Sequence, residues 1–234
     1  MPRSTIGFII FAFAISLGCL RLGAWQIARL GERRARNAII AERIAKPRAT
    51  PAALARDTGS VRYRGLRLSG RFDYDNELVL SGRSRGGSPG AYLLTPLRVP
   101  TTDTAVLVLR GWVYAPDSKT VKLEQWHEAD SVSIDGYADE FTTAKGPVVV
   151  PNAHRSVRVA DVDSLRARLP YPIAGFLVTQ TSDSAERADH PARLALPVLD
   201  DGPHKTYALQ WFVFALIAWV GIGAVAWKGR RAKG

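Results

Sequence analysis

The sequence predicts a membrane-anchored, mainly β protein: an antiparallel sandwich or partly open barrel domain with short helices, flanked by two transmembrane α-helices. Three observations lead there. Residues 5–20 carry no charge, residues 207–227 are apolar or small except for Gln210, and the stretch between them breaks into many short apolar runs. At about 1.5 Å rise per residue the second apolar segment makes roughly 31 Å of helix, close to the thickness of a bilayer's hydrocarbon core.

The first apolar segment is short for a span, but after Arg21 it resumes as Leu22-Gly23-Ala24-Trp25-Gln26-Ile27. Arg21 can extend its stem toward the interface, and Trp25 suits the headgroup level. A cleaved signal peptide is the competing reading, with Arg3 as its charged region and Ser16-Leu17-Gly18-Cys19 as a poor lipoprotein box. The helical pattern continues through Leu30, which argues against cleavage. The organisation is therefore an N-terminal transmembrane helix (1–28), an extracytoplasmic mainly-β domain (29–203), a C-terminal transmembrane helix (204–228) and a basic cytoplasmic tail (229–234). Two spans place both termini on one side. Lys228, Arg230, Arg231, Lys233 and Arg3 favour cytoplasmic termini, whereas Arg21, Arg29, Arg33, Arg34 and Arg36 favour a cytoplasmic loop. A loop this long translocates largely regardless of its charge, so the C-terminal cluster decides.

In the middle, residues 62–74 alternate, and Val79 and Leu80 follow after Asp75-Asn76, read as a hairpin turn. Residues 91–99 and 105–113 give two more strands around a turn at 100–104, and 132–137 and 173–180 add others. Residues 81–90, rich in Gly, Ser and Arg, read as a mobile loop. Helix is expected from Trp25 toward Ala45, before Pro47, and briefly over 161–169 before Pro170. Residues 181–191 form a polar excursion.

Lys and Arg number 32 against 21 Asp and Glu, a formal charge of +11. No nucleic-acid motif accompanies the scattered arginines, whereas the clusters at 29–36 and 228–233 abut the apolar segments. Anionic lipid, not nucleic acid, is the expected partner of that charge. The one cysteine, Cys19, excludes an intrachain disulfide, a two-cysteine copper or redox pair, and haem attachment through C-x-x-C-H. It reads as a small buried apolar residue. No G-x-S-x-G, H-E-x-x-H or phosphate-binding glycine loop is present, so no enzyme is expected. His127, His154 and His190 read as surface or loop residues.

His204 differs, because it stands where the second apolar helix meets water. Taken helically, His204, Tyr207 and Trp211 fall at i, i+3 and i+7 on one face. Trp25 and Gln26 close the outer end of the first span, and Gly23 admits a close neighbour, either a helix or a planar ligand. These side chains could line an amphipathic slot with an imidazole as axial ligand for haem iron. They could equally anchor two helices at the interface.

Three stretches carry a family resemblance. Leu22-Gly23-Ala24-Trp25-Gln26-Ile27-Ala28-Arg29 resembles an L-G-x-W-Q-x-x-R signature, Leu109-Arg110-Gly111-Trp112-Val113 resembles an R-G-W strand, and His204-Lys205-Thr206-Tyr207-Ala208-Leu209-Gln210-Trp211-Phe212 resembles H-x-x-Y-A-L-Q-W-F. Together, in this order, they are similar to the surfeit locus protein 1 group, assembly factors for cytochrome c oxidase and related haem-copper oxidases. The resemblance implies a two-span bacterial inner-membrane protein with a periplasmic domain. It implies transient binding of haem a and help with its insertion into oxidase subunit I, with haem a synthase as a further candidate partner. Carried over, the iron ligand is His204, with Tyr207, Gln210 and Trp211 as motif companions; Trp25 and Gln26, which the slot reading puts with it in the cofactor site, match positions of structural or interfacial character. Arg110 and Trp112 match positions of structural or interfacial character. Gly202-Pro203 departs from the polar residues frequent before the histidine. The alternative is a cofactor-free membrane chaperone that stabilises a subunit-I intermediate. An anchored enzyme acting on haem lacks an acid–base constellation here.

Overall fold

The computed structural model describes residues 2–57, 59–100, 102–181 and 188–231. Its contacts divide the chain into two units, one of residues 1–41 with 198–234 and one of residues 42–197. The elements in order are α1 (Arg3–Ala45), α2 (Pro51–Arg56), β1 (Gly65–Phe72), β2 (Leu78–Arg85), β3 (Ser88–Arg98), β4 (Ala105–Tyr114), β5 (Ser131–Asp139), β6 (Val149–Val150), β7 (Ala153–Val157), α3 (Val162–Arg166), β8 (Ile173–Gln180) and α4 (His204–Arg231).

The second unit is a mixed sheet in the order β1-β5-β8-β4-β3-β2-β7-β6, with β1 also pairing β3. Five strands, β1, β5, β8, β4 and β3, therefore close on themselves. The closing pair is short, Arg71 with Arg98 and Phe72 with Leu97, so of the two forms expected from the sequence this is the partly open barrel. Most pairings are antiparallel; β4–β8 and β2–β7 are parallel. Inside the ring lie Leu66, Leu68, Phe72, Leu97, Val106, Val108, Ile134, Phe176 and Val178. The opposite face of β4 and β8 packs Leu107, Leu109, Ile173 and Leu177 with Leu165 of α3 and Val157 of β7. Strand β4 is thus covered on both faces, which explains its unbroken Ala-Val-Leu-Val-Leu where β1 alternates.

Two turns differ from expectation. Asp75-Asn76 is not a hairpin: residues Tyr74–Asn76 form a 3-10 turn capped by Asp73, and β1 pairs β5 and β3 rather than β2. The hairpin falls instead in the segment read as a mobile loop, where β2 and β3 meet around Gly86-Gly87. Both glycines have positive φ (56° and 83°), the backbone a tight two-residue turn demands and other residues resist. The short helix α3 starts where expected, its Asp161 cap accepting from the Ser164 amide. Of the polar excursion, residues 182–187 lie outside the described residues.

In the first unit, α1 and α4 are both long and apolar enough to cross a membrane, which fits a membrane protein. The pair runs antiparallel: Phe13 meets Trp219 edge-on at 5.6 Å, and Gly23 meets Phe212. Through Leu30 the buried residues of α1 are Ala12, Ser16, Cys19, Gly23, Gln26 and Leu30, spaced by threes and fours along one seam, and Ile40 is buried farther along. On α4 the buried positions are Ala208 and Ala215. Large apolar side chains such as Ile10, Phe11, Leu216 and Val220 face outward.

Candidate functional site at the polar end of the helix pair

Three features place His204. The backbone before it turns at Gly202 (φ 63°), packed under the Arg33 guanidinium, and Pro203 accepts from the Tyr207 amide as α4 begins. The Gly202-Pro203 departure is therefore a tight helix start. Asp200 is gripped by Arg33 through both its carboxylate and its backbone oxygen, and Asn37 donates to that same oxygen at 2.7 Å. Asp201 accepts from Arg34 at 2.6 and 3.0 Å. The hydrogen bond from Arg34 outweighs the opposing effect of burial and holds the Asp201 carboxyl below its ordinary value, helped by the charges of Arg34, Lys205 and Arg33. The same bond raises Arg34. Carboxylates here also suit the positive end of α4's dipole.

With the helix start fixed, the imidazole reaches the seam of α1. His204 Nδ1 lies 2.8 Å from Gln26 Oε1, a contact between residues 178 apart in sequence. Gln26 is 9% exposed, and among the described residues Nε2 of His204 makes no hydrogen bond. The other expected slot residues are arranged differently. Trp25 and Tyr207 are about half exposed (53% and 48%), and among the described residues neither makes a hydrogen bond or ring contact with the pair. The physical reason is helical phase: the seam of α4 runs through His204, Ala208, Trp211 and Ala215, and Tyr207 lies one position off it. Trp211, on the seam, meets Phe214 edge-on at 5.9 Å. Of the two neighbours offered for Gly23, the helix takes the place: a Cβ there would stand 2.6 Å from Phe212 Cε1. Gln210 is exposed.

The donor set has a chemical implication. Among the described residues no group of three or more His, Cys, Asp or Glu is placed to hold a metal ion. A lone imidazole with a free ring nitrogen fits an iron that arrives with most of its ligands already in place, as a porphyrin's does. On that ground His204 fits a haem.

Sequence reasoning missed a second polar constellation, in the β unit. Arg110 falls at a register shift where Leu94 pairs Leu109 and Leu93 pairs Gly111, a bulge that turns its side chain inward. It is fully buried, donates to Glu77 at 2.7 Å and to Glu128 at 2.6 Å, and reaches the Trp126 carbonyl. Glu77 also accepts from Thr95, and Glu128 from Arg193. His127 stacks on Tyr74 with ring centroids 4.0 Å apart, and His190 Nε2 lies 3.3 Å from Glu128. Burial raises the Glu128 carboxyl's pKa, yet the hydrogen bond from Arg193 and the charges of Arg110 and Arg193 together carry it below the ordinary value. One signal was available: a charge inside an apolar strand needs buried partners. A cleft of about 840 Å³ in this unit is lined by Arg48, Tyr63, Asp135, Tyr137 and Arg193, and none of the sequence-predicted site residues borders it.

A family model described as the SURF1 family matches residues 13–216 of the chain. A SURF1-like protein of Rickettsia felis is 31% identical over 114 residues, 48% of this chain and 46% of that protein. Cytochrome oxidase assembly protein SHY1 of Saccharomyces cerevisiae is 30% identical over 121 residues, 47% of this chain and 30% of that protein. A SURF1-like protein of Monosiga brevicollis is 26% identical over 211 residues, 84% of this chain and 78% of that protein. The chain thus spans less than half the length of the first two relatives.

Proposed function

Because the chain belongs to the SURF1 family, we infer that it serves in assembly of cytochrome oxidase, the process that gives the yeast relative its name. We propose further that it does so without turnover, as a two-span protein of a bacterial inner membrane with cytoplasmic termini and a periplasmic β domain, holding haem a for insertion into subunit I. The observation that carries the cofactor reading is His204: its Nδ1 is engaged by Gln26 and its Nε2 makes no hydrogen bond among the described residues. When bound, the haem supplies an iron whose axial position one imidazole can fill. The chain's own part is to hold that imidazole at a helix start fixed by Arg33, Arg34 and Asn37. A single protein ligand suits a carrier, since release breaks one protein–metal bond rather than two.

The test is an absorption spectrum and pyridine-haemochrome analysis of the full chain, detergent-purified from a host that makes haem a. The wild type is expected to carry a histidine-ligated haem that His204→Ala abolishes. An unchanged spectrum in that variant eliminates His204 as ligand. One observation favours the second reading, a cofactor-free chaperone for a subunit-I intermediate: Phe212 fills the approach at Gly23. Colourless protein that still co-isolates oxidase subunits would select that reading.

A further inference from the structure

A histidine can serve as a neutral ligand through only one ring nitrogen at a time, and its tautomer decides which. Free in water, the ring exchanges between two forms. In this protein the choice is constrained by one contact, the 2.8 Å approach of His204 Nδ1 to Gln26 Oε1. An amide oxygen has lone pairs and no proton to give, so the shared hydrogen belongs to Nδ1. The lone pair of a neutral ring then resides on Nε2 alone.

The surroundings strengthen this constraint. Gln26 sits on the buried seam of α1 between Gly23 and Leu30, both of them buried, so little water competes for its oxygen. The backbone that carries the ring is anchored too, since Gly202 lies close to the Arg33 side chain and the preceding Asp200 and Asp201 are bound by Arg33, Arg34 and Asn37. The one contact to Gln26 thus orients the ring as well as selecting its tautomer.

We propose that Gln26 is a positioning residue for His204, holding the Nδ1–H tautomer so that Nε2 is presented as the electron-pair donor to a porphyrin-bound iron. This rests on the reading of His204 as an axial ligand and changes the part given to Gln26: it acts through the histidine rather than as a wall of the cofactor slot. Outer groups that accept from a ligating imidazole orient it and raise its basicity, and removing them commonly weakens metal binding by about 10–100-fold.

Two measurements on the full chain in detergent test this. The first needs no cofactor: ¹⁵N spectra of histidine-labelled protein, with the His204 signals assigned by their loss in His204→Ala. His204 is expected to carry its proton on Nδ1 in the wild type and to relax toward the mixed population of free imidazole in Gln26→Leu, which keeps the volume but removes the acceptor. A wild-type ring protonated on Nε2 overturns the proposal. The second is titration with haemin. Gln26→Leu is expected to bind about 10–100-fold more weakly. Gln26→Glu, which restores an acceptor, is expected to recover binding and to lower the iron's midpoint potential through a more basic ligand. If His204→Ala weakens haemin binding while Gln26→Leu binds like the wild type, this proposal falls and the ligand reading survives. Equal binding by His204→Ala overturns the ligand reading and this proposal with it.

Discussion

The helix pair and the β domain use opposite interiors. In the β domain the largest side chains are inside: Leu66, Leu93, Leu94, Leu97, Leu107 and Phe176 are at most 2% exposed. In the helix pair the large apolar side chains are outside, with Leu216, Val220 and Ile10 above 60% exposed, and the seam is made of Ala12, Ser16, Cys19, Gly23, Ala208 and Ala215. Water drives the first arrangement, since burying apolar area is the dominant favourable term there. Lipid offers no such drive between helices, so close backbone approach and a few polar contacts decide how they pair. Arginine–carboxylate pairs occur in both regions, but in different settings. Arg110 and Glu77 are wholly buried, whereas Arg34 and Asp201 are largely solvent-facing.

That difference predicts a hierarchy of mutational effects. Arg110→Leu should be the most damaging, because it takes the guanidinium away from the buried Glu77 carboxyl, which among the described residues keeps Thr95 as a hydrogen-bond donor, with His127 Nε2 3.8 Å away. Breaking a buried pair from one side destabilises by about 3–5 kcal/mol. Chemical unfolding of the full chain in detergent, followed by its β-sheet circular dichroism, measures this. A loss below about 1 kcal/mol would show that the network is solvated and erase the contrast with the surface pairs.

Next in size is the seam itself. Gly23→Leu drives a side chain into the Phe212 ring, where even a Cβ meets Cε1 at 2.6 Å. Overpacking of this kind destabilises by about 1–3 kcal/mol. Adding Phe212→Ala should recover most of the loss, since the new side chain then occupies the vacated volume. Thermal loss of helical signal in the single and double variants tests it; a double variant no better than Gly23→Leu would place the close contact elsewhere.

These two sites were not equally legible in the sequence. The anchoring helices and the strands over β1, β3, β4, β5 and β8 follow from charge-free length and apolar runs, which are local properties. The Gly86-Gly87 hairpin was hidden because polar, glycine-rich sequence describes a loop and a tight turn alike. The hairpin expected at Asp75-Asn76 failed because β1 finds its partners in β5 and β3, a choice made by distant residues. The same limit applies to the candidate site. His204 was singled out by its position at a helix mouth, but its contact with Gln26 depends on the register of two helices. That register is set by Gly23 against Phe212 and by Arg33 and Arg34 against Asp200 and Asp201. Tyr207 was placed on the site's face by a 3-residue spacing that the seam, running through Ala208, does not follow. Arg110 announced itself as a charge within an apolar strand, whereas its partners Glu77, Glu128 and Arg193 did not.

Acid should separate the regions more gently than substitution. The folded Glu128 carboxyl is lowered: the hydrogen bond from Arg193 and the charges of Arg110 and Arg193 overcome the opposing effect of burial, with His190 also facing it. A carboxyl lowered on folding adds stability that is complete above its unfolded pKa, about 4.3. The contribution disappears as pH falls through the lower folded value. Unfolding midpoints of the wild type should therefore drop in that window more than those of Glu128→Gln. Parallel curves for the two proteins would mean that Glu128 is not the carboxylate that matters there.

The smallest effect is expected at the mouth of the helix pair. Arg34 and Asp201 face solvent, so their attraction is screened by ions and opposed by the freedom both side chains lose. Arg34→Ala should lower the melting temperature of the helix pair only slightly at low ionic strength, and the difference should vanish near 1 M salt, where screening acts over about 3 Å. Arg33→Ala should retain part of its effect in salt, because Arg33 also bonds the backbone oxygen of Asp200 and covers Gly202. If the two variants respond identically to salt, then charge alone sets the start of α4. The packing beneath Arg33 would then have no part in presenting His204.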